Sequence, residues 1–451
     1  MIPPTSPLPV IALALGAGCH PPAEDSSPGH CRAACEEAAD ELLILLDVEG
    51  LGEPVEVQLN PCPGRTRLPD GATTVVALLG GFDATMTPVD RDDRVTQSGR
   101  GIVTLYPSFP HDGIDFAGGA PGDYRGTSAR LATAAVLRYA ADQEVDQEGC
   151  RLSDRLDVAL SGQPPLLHGQ SNGGNLALAT LADSSLDLPP LGGITTFETP
   201  AGAQFVTVEL GSTERPLSLY EAGSCAWNEA QGLGCAVDAA TLTWDAGAED
   251  DRGHHGAAFY DLDQDGACDE EEGWIWGLRP DMEGWERAVY SPELTQALAE
   301  GGPTRPDLLT GAALDAFWAT RDGSLLVREA VARQPGLPFL ILGTEQDHTQ
   351  GTTDHPHITG LAVALQAVGA AWVRVNPDAA YLTQALGEDP GWSDNPANIA
   401  TTPGDASIRM LPDEAADAQL RRAWITAAFL ELQDRGWLDR WDDDLAATLQ
   451  P

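Results

Sequence analysis

Lysine is absent from this chain: its 25 basic residues are all arginine, and 69 acidic residues bring the formal net charge to −44. A charge of this sign argues against nucleic acid and anionic membrane surfaces as partners, because both would repel the protein. Long apolar runs are scarce as well, and beyond the N-terminus no segment is long and apolar enough to span a bilayer. With 42% hydrophobic residues, the 451-residue chain can still bury a substantial core.

The N-terminal residues 1–19 predict an export signal. The apolar segment Leu8–Leu15 is too short to span a bilayer, and small residues follow it. The stretch Gly16-Ala17-Gly18-Cys19 resembles a bacterial lipoprotein processing site, at which the cysteine is acylated. It departs from that pattern in having no basic residue before the apolar segment and in the spacing of Leu15 from the cysteine. We expect an exported protein, secreted or held at the cell envelope by a lipid anchor at Cys19, with residues 20–36 as a tether.

Export favours disulfide bonds among the remaining cysteines. The two cysteines that end the stretch 225–235 are close in sequence and form the easiest bridge. Cys31 and Cys35 share a helix-like segment, so one of them should pair with Cys62 or Cys150 instead. No cysteine spacing matches a zinc site.

A Gly-x-Ser-x-Gly pattern occupies Gly169, Ser171 and Gly173, with apolar residues before it and a helix-like run after it. Small residues at the two glycine positions allow a sharp strand-to-helix turn to pack. Such a turn lifts the serine hydroxyl clear of the sheet, above a helix N-terminus whose N–H groups can bind an oxyanion. A glycine-rich turn before an ordinary helix is the alternative. The stretch resembles the nucleophile elbow of the α/β-hydrolase superfamily of serine hydrolases, over most of residues 70–200 and 334–450.

The resemblance implies an α/β fold, in which a mostly parallel sheet is flanked by helices. Residues 37–202 and 334–451 would form this domain, and the irregular residues 203–333, rich in Cys, Trp, Gly and acidic clusters, would form a cap insertion over the active site. Hydrophobic periodicity predicts the following elements. The strands are Leu42–Val48, Pro54–Leu59, Thr73–Leu79, Ile102–Tyr106, Leu191–Phe197, Leu337–Gly343 and Ala371–Val375, and the helices are Ser128–Ala141, Gly311–Ala319, Leu325–Arg333, 357–369 and Asp413–Leu432.

The resemblance also implies catalytic roles. Ser171 would be the nucleophile, and the Asn172 N–H would bind the oxyanion together with an N–H of Gly81 or Phe82, which follow a predicted strand. A plain glycine turn is the alternative there. Asp347 matches the acid that orients a histidine base.

The base itself is the difficulty, because the superfamily places it after the last strand and no histidine follows His357. We expect His357 to be the base, in the first turn of a helix whose dipole keeps it neutral, with Asp354 as the N-cap. His348 is the close second and would need another acid, such as Glu198. Both histidines could instead only stabilise the loop, which would leave the cap residues His254 and His255 as candidates. His168 is expected to bond locally.

A second motif spans residues 261–272. Carboxylates at positions 1, 3, 5, 9 and 12 and a glycine at position 6 match the spacing of a calcium-binding loop. Flanking glycines and a proline break helices on both sides, which predicts an isolated structural loop and not a sensor pair. An acidic solvated loop is the alternative. The ligands would be Asp261, Asp263, Asp265, the Ala267 carbonyl, Asp269 and a bidentate Glu272.

These features together predict an exported serine hydrolase that cleaves a small-molecule carboxylic ester or amide through an acyl-enzyme, with structural calcium and no organic cofactor. A serine peptidase is the alternative within the class. A non-catalytic surface protein that binds a ligand on the same fold is the alternative from another class, and the absence of a histidine after the last strand favours it.

Overall fold

The computed structural model describes the greater part of the chain, and every structural statement below concerns these residues. They are 31, 42–64, 66, 68–80, 100–108, 125–202, 223–236, 241–249, 255–269, 272–278, 287–300, 308–345, 347, 354–386, 399–412 and 418–441. The predicted export signal with Cys19 lies outside them, and so does the predicted tether 20–36 except for Cys31. In the described part of the chain, no helix is both long and apolar enough to cross a membrane.

Strands and helices alternate through most of the chain. The strands are β1 Leu42–Leu46, β2 Val55–Leu59, β3 Thr73–Leu78, β4 Ile102–Pro107, β5 Leu166–Gln170, β6 Gly193–Phe197, β7 Ala226–Asn228, β8 Gly232–Gly234, β9 Leu242–Glu249, β10 His255–Tyr260, β11 Trp274–Ile275, β12 Pro338–Leu342 and β13 Trp372–Val375. The helices are α1 Thr127–Ala140, α2 Leu152–Arg155, α3 Asn172–Ala182, α4 Pro292–Glu300, α5 Ala312–Trp318, α6 Gly323–Arg333, α7 Pro356–Ala367, α8 Ala379–Leu386 and α9 Ala418–Leu438.

Eight strands form one sheet in the order β1-β2-β4-β3-β5-β6-β12-β13. The ribbon β1–β2 and its contact with β4 are antiparallel, and the strands from β4 to β13 are parallel. This is the α/β-hydrolase-type sheet, and it confirms the predicted fold class. The carboxyl ends of the parallel strands share one edge of the sheet, where ligands bind in open α/β folds.

The two faces of the sheet carry separate cores, because successive side chains of a strand point to opposite faces. Val76 faces the larger core, whose helical side chains come from α1, α2, α3, α6 and α7. Its neighbour Val75 faces a second core formed with α8 and α9, which includes Tyr381 and Phe429. The parallel strands are therefore buried on both sides, as their nearly continuous apolar sequences predict.

Residues of the predicted cap form smaller sheets and a core of their own. Strands β9, β10 and β11 form a three-stranded sheet that packs on α4. Helix α6 lies in the same sequence region, yet its Val327, Ala330 and Val331 join the larger core beside α3.

One disulfide bond matches a predicted pair, and a second is one of the pairings that the sequence left open. Cys225 pairs with Cys235 across the hairpin β7–β8, and Cys31 pairs with Cys150. The second bond ties the chain ahead of β1 to the main domain.

Candidate active site

Ser171 lies on the turn between β5 and α3, and its backbone has φ 49° and ψ −130°. A non-glycine residue in this region costs about 1–3 kcal/mol and persists only where its surroundings enforce it. Here the Ser171 N–H donates to the carbonyl of Phe197 at 2.7 Å, and the Gly174 N–H donates to the Ser171 carbonyl at 3.0 Å. The turn therefore has the strained strand-to-helix geometry that the Gly-x-Ser-x-Gly pattern predicts.

Close packing around the turn explains its glycines. A Cβ atom on Gly173 would lie 2.3 Å from the carbonyl oxygen of Leu78, at the end of the neighbouring strand. A Cβ atom on Gly80 would lie 2.8 Å from the Cβ atom of Ser171. The chain after β3 therefore passes directly beside the serine.

Asn175 supports the elbow and was missed in the sequence. Its amide nitrogen donates to the side-chain oxygen of Asn172 and to the carbonyl of Pro200, both at 3.0 Å. Its amide oxygen accepts the N–H of Gly323 at 2.9 Å, at the start of α6. An asparagine directly before the apolar run of α3 was the available signal.

The predicted oxyanion donors are only partly described. Asn172 is the first residue of α3 and is 2% exposed, so its N–H belongs to the helix N-terminus that follows Ser171. Gly81 and Phe82 lie outside the described residues, which reach Gly80.

Asp347 and His357 are brought together at the same edge of the sheet. His357 Nε2 and Asp347 Oδ2 are 2.7 Å apart, and both side chains are buried. Asp347 follows β12, and His357 lies in the first turn of α7. When Nε2–H donates to the carboxylate, Nδ1 is the ring nitrogen left to accept a proton.

The N-cap of α7 differs from the prediction. Asp354 was expected there, but His355 is the N-cap, with φ 38° and ψ 59°. Pro356 follows it at the first helical position, where its fixed φ and missing N–H are tolerated, and the N-cap therefore lies one residue later than expected. Burial lowers the pKa of His355 to about 4, and the neighbouring His357 acts in the same direction.

The other histidines have separate places. His348 and His254 lie outside the described residues. His255 is exposed at the start of β10, and its Nδ1 lies 3.9 Å from Glu249 Oε2. His168 bonds locally, as predicted: its Nδ1 lies 2.8 Å from the Thr195 hydroxyl. Burial lowers the pKa of His168 to about 3.

Glu198 was the alternative acid for His348. It follows β6 with φ 46°, is 2% exposed, and accepts a hydrogen bond from the Thr344 hydroxyl. This bond joins the ends of β6 and β12, so the carboxylate holds two strand ends together.

Asn376 directly follows β13, where the superfamily would place its histidine. It is fully buried and accepts the N–H of Gly343 at 2.9 Å. Its amide nitrogen donates to the carbonyls of Gly343 and Arg409 at 3.2 and 2.9 Å. This residue binds backbone groups, so the end of β13 has a structural role.

The acidic loop 261–272 connects β10 to β11. Gly266 has φ 79°, and its N–H donates to Asp261 Oδ2 at 3.0 Å. The Asp265 N–H donates to Asp263 Oδ1 at 3.1 Å, and Glu272 accepts the N–H groups of Leu262 at 2.6 Å and Asp269 at 3.3 Å. These bonds curl the loop around its own carboxylates.

The donor set fits a calcium ion. Carboxylate oxygens of Asp261, Asp263 and Asp265 lie within 4.8 Å of one another. Asp261 is 8% exposed, and its Oδ1 is buried with no hydrogen-bond partner. A buried carboxylate oxygen without a donor costs free energy, which a hard cation would remove.

No model of a known protein family matches the sequence, and no curated protein matches it. Among solved structures, one similar chain is a brefeldin A esterase, described as a bacterial homologue of human hormone-sensitive lipase. It is 15% identical over 90% of this chain and 80% of that chain, with a TM-score of 0.39. Carboxyl esterase 2 from the mycorrhizal fungus Tuber melanosporum is 12% identical over 89% and 91%, with a TM-score of 0.39. A hormone-sensitive lipase from a metagenome library is 14% identical over 92% and 90%, with a TM-score of 0.38. At these values no substrate and no residue role follows for this chain.

Proposed function

We propose that this protein is a serine hydrolase that cleaves a carboxylic ester through an acyl-enzyme on Ser171, with an amide as the alternative substrate. The observation that carries the proposal is the strained backbone of Ser171, with φ 49° on a strand-to-helix turn. Strain of this kind is retained where it presents a reactive group.

The buried pair Asp347–His357 supports a histidine base. A carboxylate 2.7 Å from an imidazole nitrogen fixes the tautomer and stabilises the imidazolium that forms during attack. In the proposed reaction His357 takes the hydroxyl proton as Ser171 Oγ bonds to the carbonyl carbon. It then returns the proton to the leaving alcohol, and water releases the acyl group by the same route.

The oxyanion of each tetrahedral intermediate would be bound by the Asn172 N–H and by an N–H of Gly81 or Phe82. The mechanism requires Ser171 and His357 to meet in the substrate complex, where catalytic hydrogen bonds often tighten. His348 remains the second candidate for the base.

Calcium binding by the loop 261–272 is part of the proposal. The ion would be held by the oxygens of Asp261, Asp263, Asp265, Ala267, Asp269 and Glu272. It would tie β10 to β11 and so stabilise the core beneath α4. The unpartnered Oδ1 of Asp261 supports this assignment.

We also propose that the protein is exported, with Cys19 as a lipid anchor or with the signal removed. The disulfide bonds Cys31–Cys150 and Cys225–Cys235 support an oxidising compartment.

A fluorophosphonate probe tests the central proposal. Wild-type protein should be phosphonylated at Ser171 and should hydrolyse 4-nitrophenyl butyrate. Ser171→Ala should abolish both reactions, with a loss of several orders of magnitude in rate, while its melting temperature stays close to wild type. Ser185→Ala is the matched control, because Ser185 lies beyond the end of α3 and its N–H and hydroxyl donate to the Asp183 carboxylate.

A folded, calcium-loaded wild type that is inert to probe and ester would refute the enzyme and favour the non-catalytic binding protein. Hydrolysis of peptides in preference to esters would favour the peptidase.

A further inference from the structure

Arg125 lies immediately before Gly126, the N-cap of α1, and has an unusual backbone for a large residue. Its φ is 62°, in the left-handed region, and its side chain is only 2% exposed. A strained backbone and a buried guanidinium both cost free energy, so interactions of Arg125 with its surroundings must offset that cost.

The Arg125 guanidinium bonds the chain that follows β3. Its Nη2 donates to the carbonyl of Gly80 at 2.9 Å and lies 3.4 Å from the carbonyl of Leu79. Since guanidinium hydrogen bonds are charge-assisted and rigid in direction, they fix these two carbonyls more firmly than a neutral donor would.

Gly80 is also the residue that lies against the nucleophile, since a Cβ atom there would be 2.8 Å from Ser171 Cβ and 3.3 Å from Ser171 Oγ. A peptide unit is planar and trans, so its N–H points opposite to its C=O. Holding the carbonyls of Leu79 and Gly80 at Arg125 therefore fixes the direction of the chain beside Ser171. It turns the N–H of Gly80, which shares a peptide unit with the Leu79 carbonyl, away from the guanidinium.

We propose that Arg125 is a positioning residue for ester hydrolysis, which holds the backbone at Gly80 so that its N–H is directed toward the oxyanion formed at Ser171. This inference rests on the proposed function. It assigns to the chain after β3 an anchor that has no sequence motif.

The test replaces Arg125 with Met, which keeps an unbranched chain without donors, and with Lys, which can still donate to one carbonyl. Rates of 4-nitrophenyl butyrate hydrolysis are expressed per active site, counted by complete titration with a fluorophosphonate, so unfolded protein does not contribute. Arg125→Met should lower kcat about 10- to 100-fold and change KM less than about threefold, because a small misplacement of an oxyanion donor acts in the transition state. Arg125→Lys should recover part of the loss.

A boronic acid supplies the readout that a purely structural role would not move. Phenylboronic acid forms a tetrahedral adduct with the serine, so its inhibition constant should rise by the same factor as kcat/KM falls. The control is Arg155→Met, since Arg155 is also a buried arginine but bonds Asp146, Glu148 and the Cys31 carbonyl. It should lower the melting temperature and leave kcat per site unchanged.

The inference is overturned if both Arg125 variants keep wild-type kcat per site, if boronate affinity is unchanged while kcat falls, or if neither variant yields titratable protein. A wild type that hydrolyses no ester would instead remove the proposed function, and with it this role. The measurement of ester hydrolysis by wild-type protein therefore tests the proposed function before any variant is compared.

Discussion

Acidification should destabilise the elbow strand through His168, which lies three residues before Ser171 on β5. Burial lowers the pKa of His168 from 6.5 to about 3, so the folded protein holds this imidazole neutral. The unfolded chain binds the proton more readily, so this contribution to stability is present above pH ~6.5 and is lost as the pH falls toward ~3. Between these two pH values, the loss in the free energy of unfolding is proportional to the number of pH units below the unfolded pKa of 6.5.

One pKa unit corresponds to about 1.4 kcal/mol, so at about pH 4.5 His168 should remove roughly 3 kcal/mol from the free energy of unfolding. That is a large part of a typical total of about 5–15 kcal/mol. Urea unfolding at about pH 7 and pH 4.5 measures the loss in wild type and in His168→Gln, whose amide can still bond Thr195 but does not titrate. The buried carboxylates and His355 contribute equally to both proteins and cancel in the comparison. If His168→Gln loses as much stability as wild type between the two pH values, the assigned pKa shift is wrong.

Two further results are expected from substitutions at the proposed base and metal loop. His357→Ala should lower kcat per titrated site by orders of magnitude with little change in KM, and His348→Ala and His355→Ala should retain most activity. The base is reassigned to whichever of the three proves indispensable, or to the cap if none does. Glu272→Gln should lose most of the calcium-dependent rise in melting temperature, which for wild type at about 100 times the dissociation constant corresponds to about 2.7 kcal/mol. Equal melting of wild type in EDTA and in millimolar calcium would leave the loop an acidic turn.

The sheet could be predicted from sequence because its strands are buried on both faces and therefore appear as short apolar runs between turns. The elbow was predictable for a related reason, since a Cβ atom on Gly173 would lie only 2.3 Å from a backbone oxygen, which leaves room for glycine alone. Local packing of this kind restricts the residue types at neighbouring positions, so it can be recognised in the sequence. The pairing of Asp347 with a histidine ten positions later was likewise expected from their shared sheet edge.

Residues whose partners are distant in sequence were not predictable. Arg125 bonds carbonyls more than forty positions away, and Asn376 bonds carbonyls over thirty positions away, and neither interaction leaves a local pattern. Helix α6 looked like part of the cap because irregular sequence precedes it, although its apolar side chains complete the larger core. The N-cap of α7 was placed one residue too early, because Asp354 is a favoured capping residue, whereas Pro356 at the first helical position makes His355 the N-cap.

The hairpin β7–β8 is closed by a disulfide bond and packs against α7, the helix that bears His357, so reduction of this bond would affect that helix. Its Leu233 packs so closely on α7 that a Cβ atom on Gly360, one turn after His357, would lie 2.7 Å from it. The Leu233 N–H and the Trp227 indole N–H bond to Ser324 on α6, and the disulfide Cys225–Cys235 closes the hairpin. Protein produced in a reducing cytosol would therefore hold α7 less firmly than protein folded in an oxidising compartment. The choice of expression compartment thus becomes a variable in any measurement of its activity.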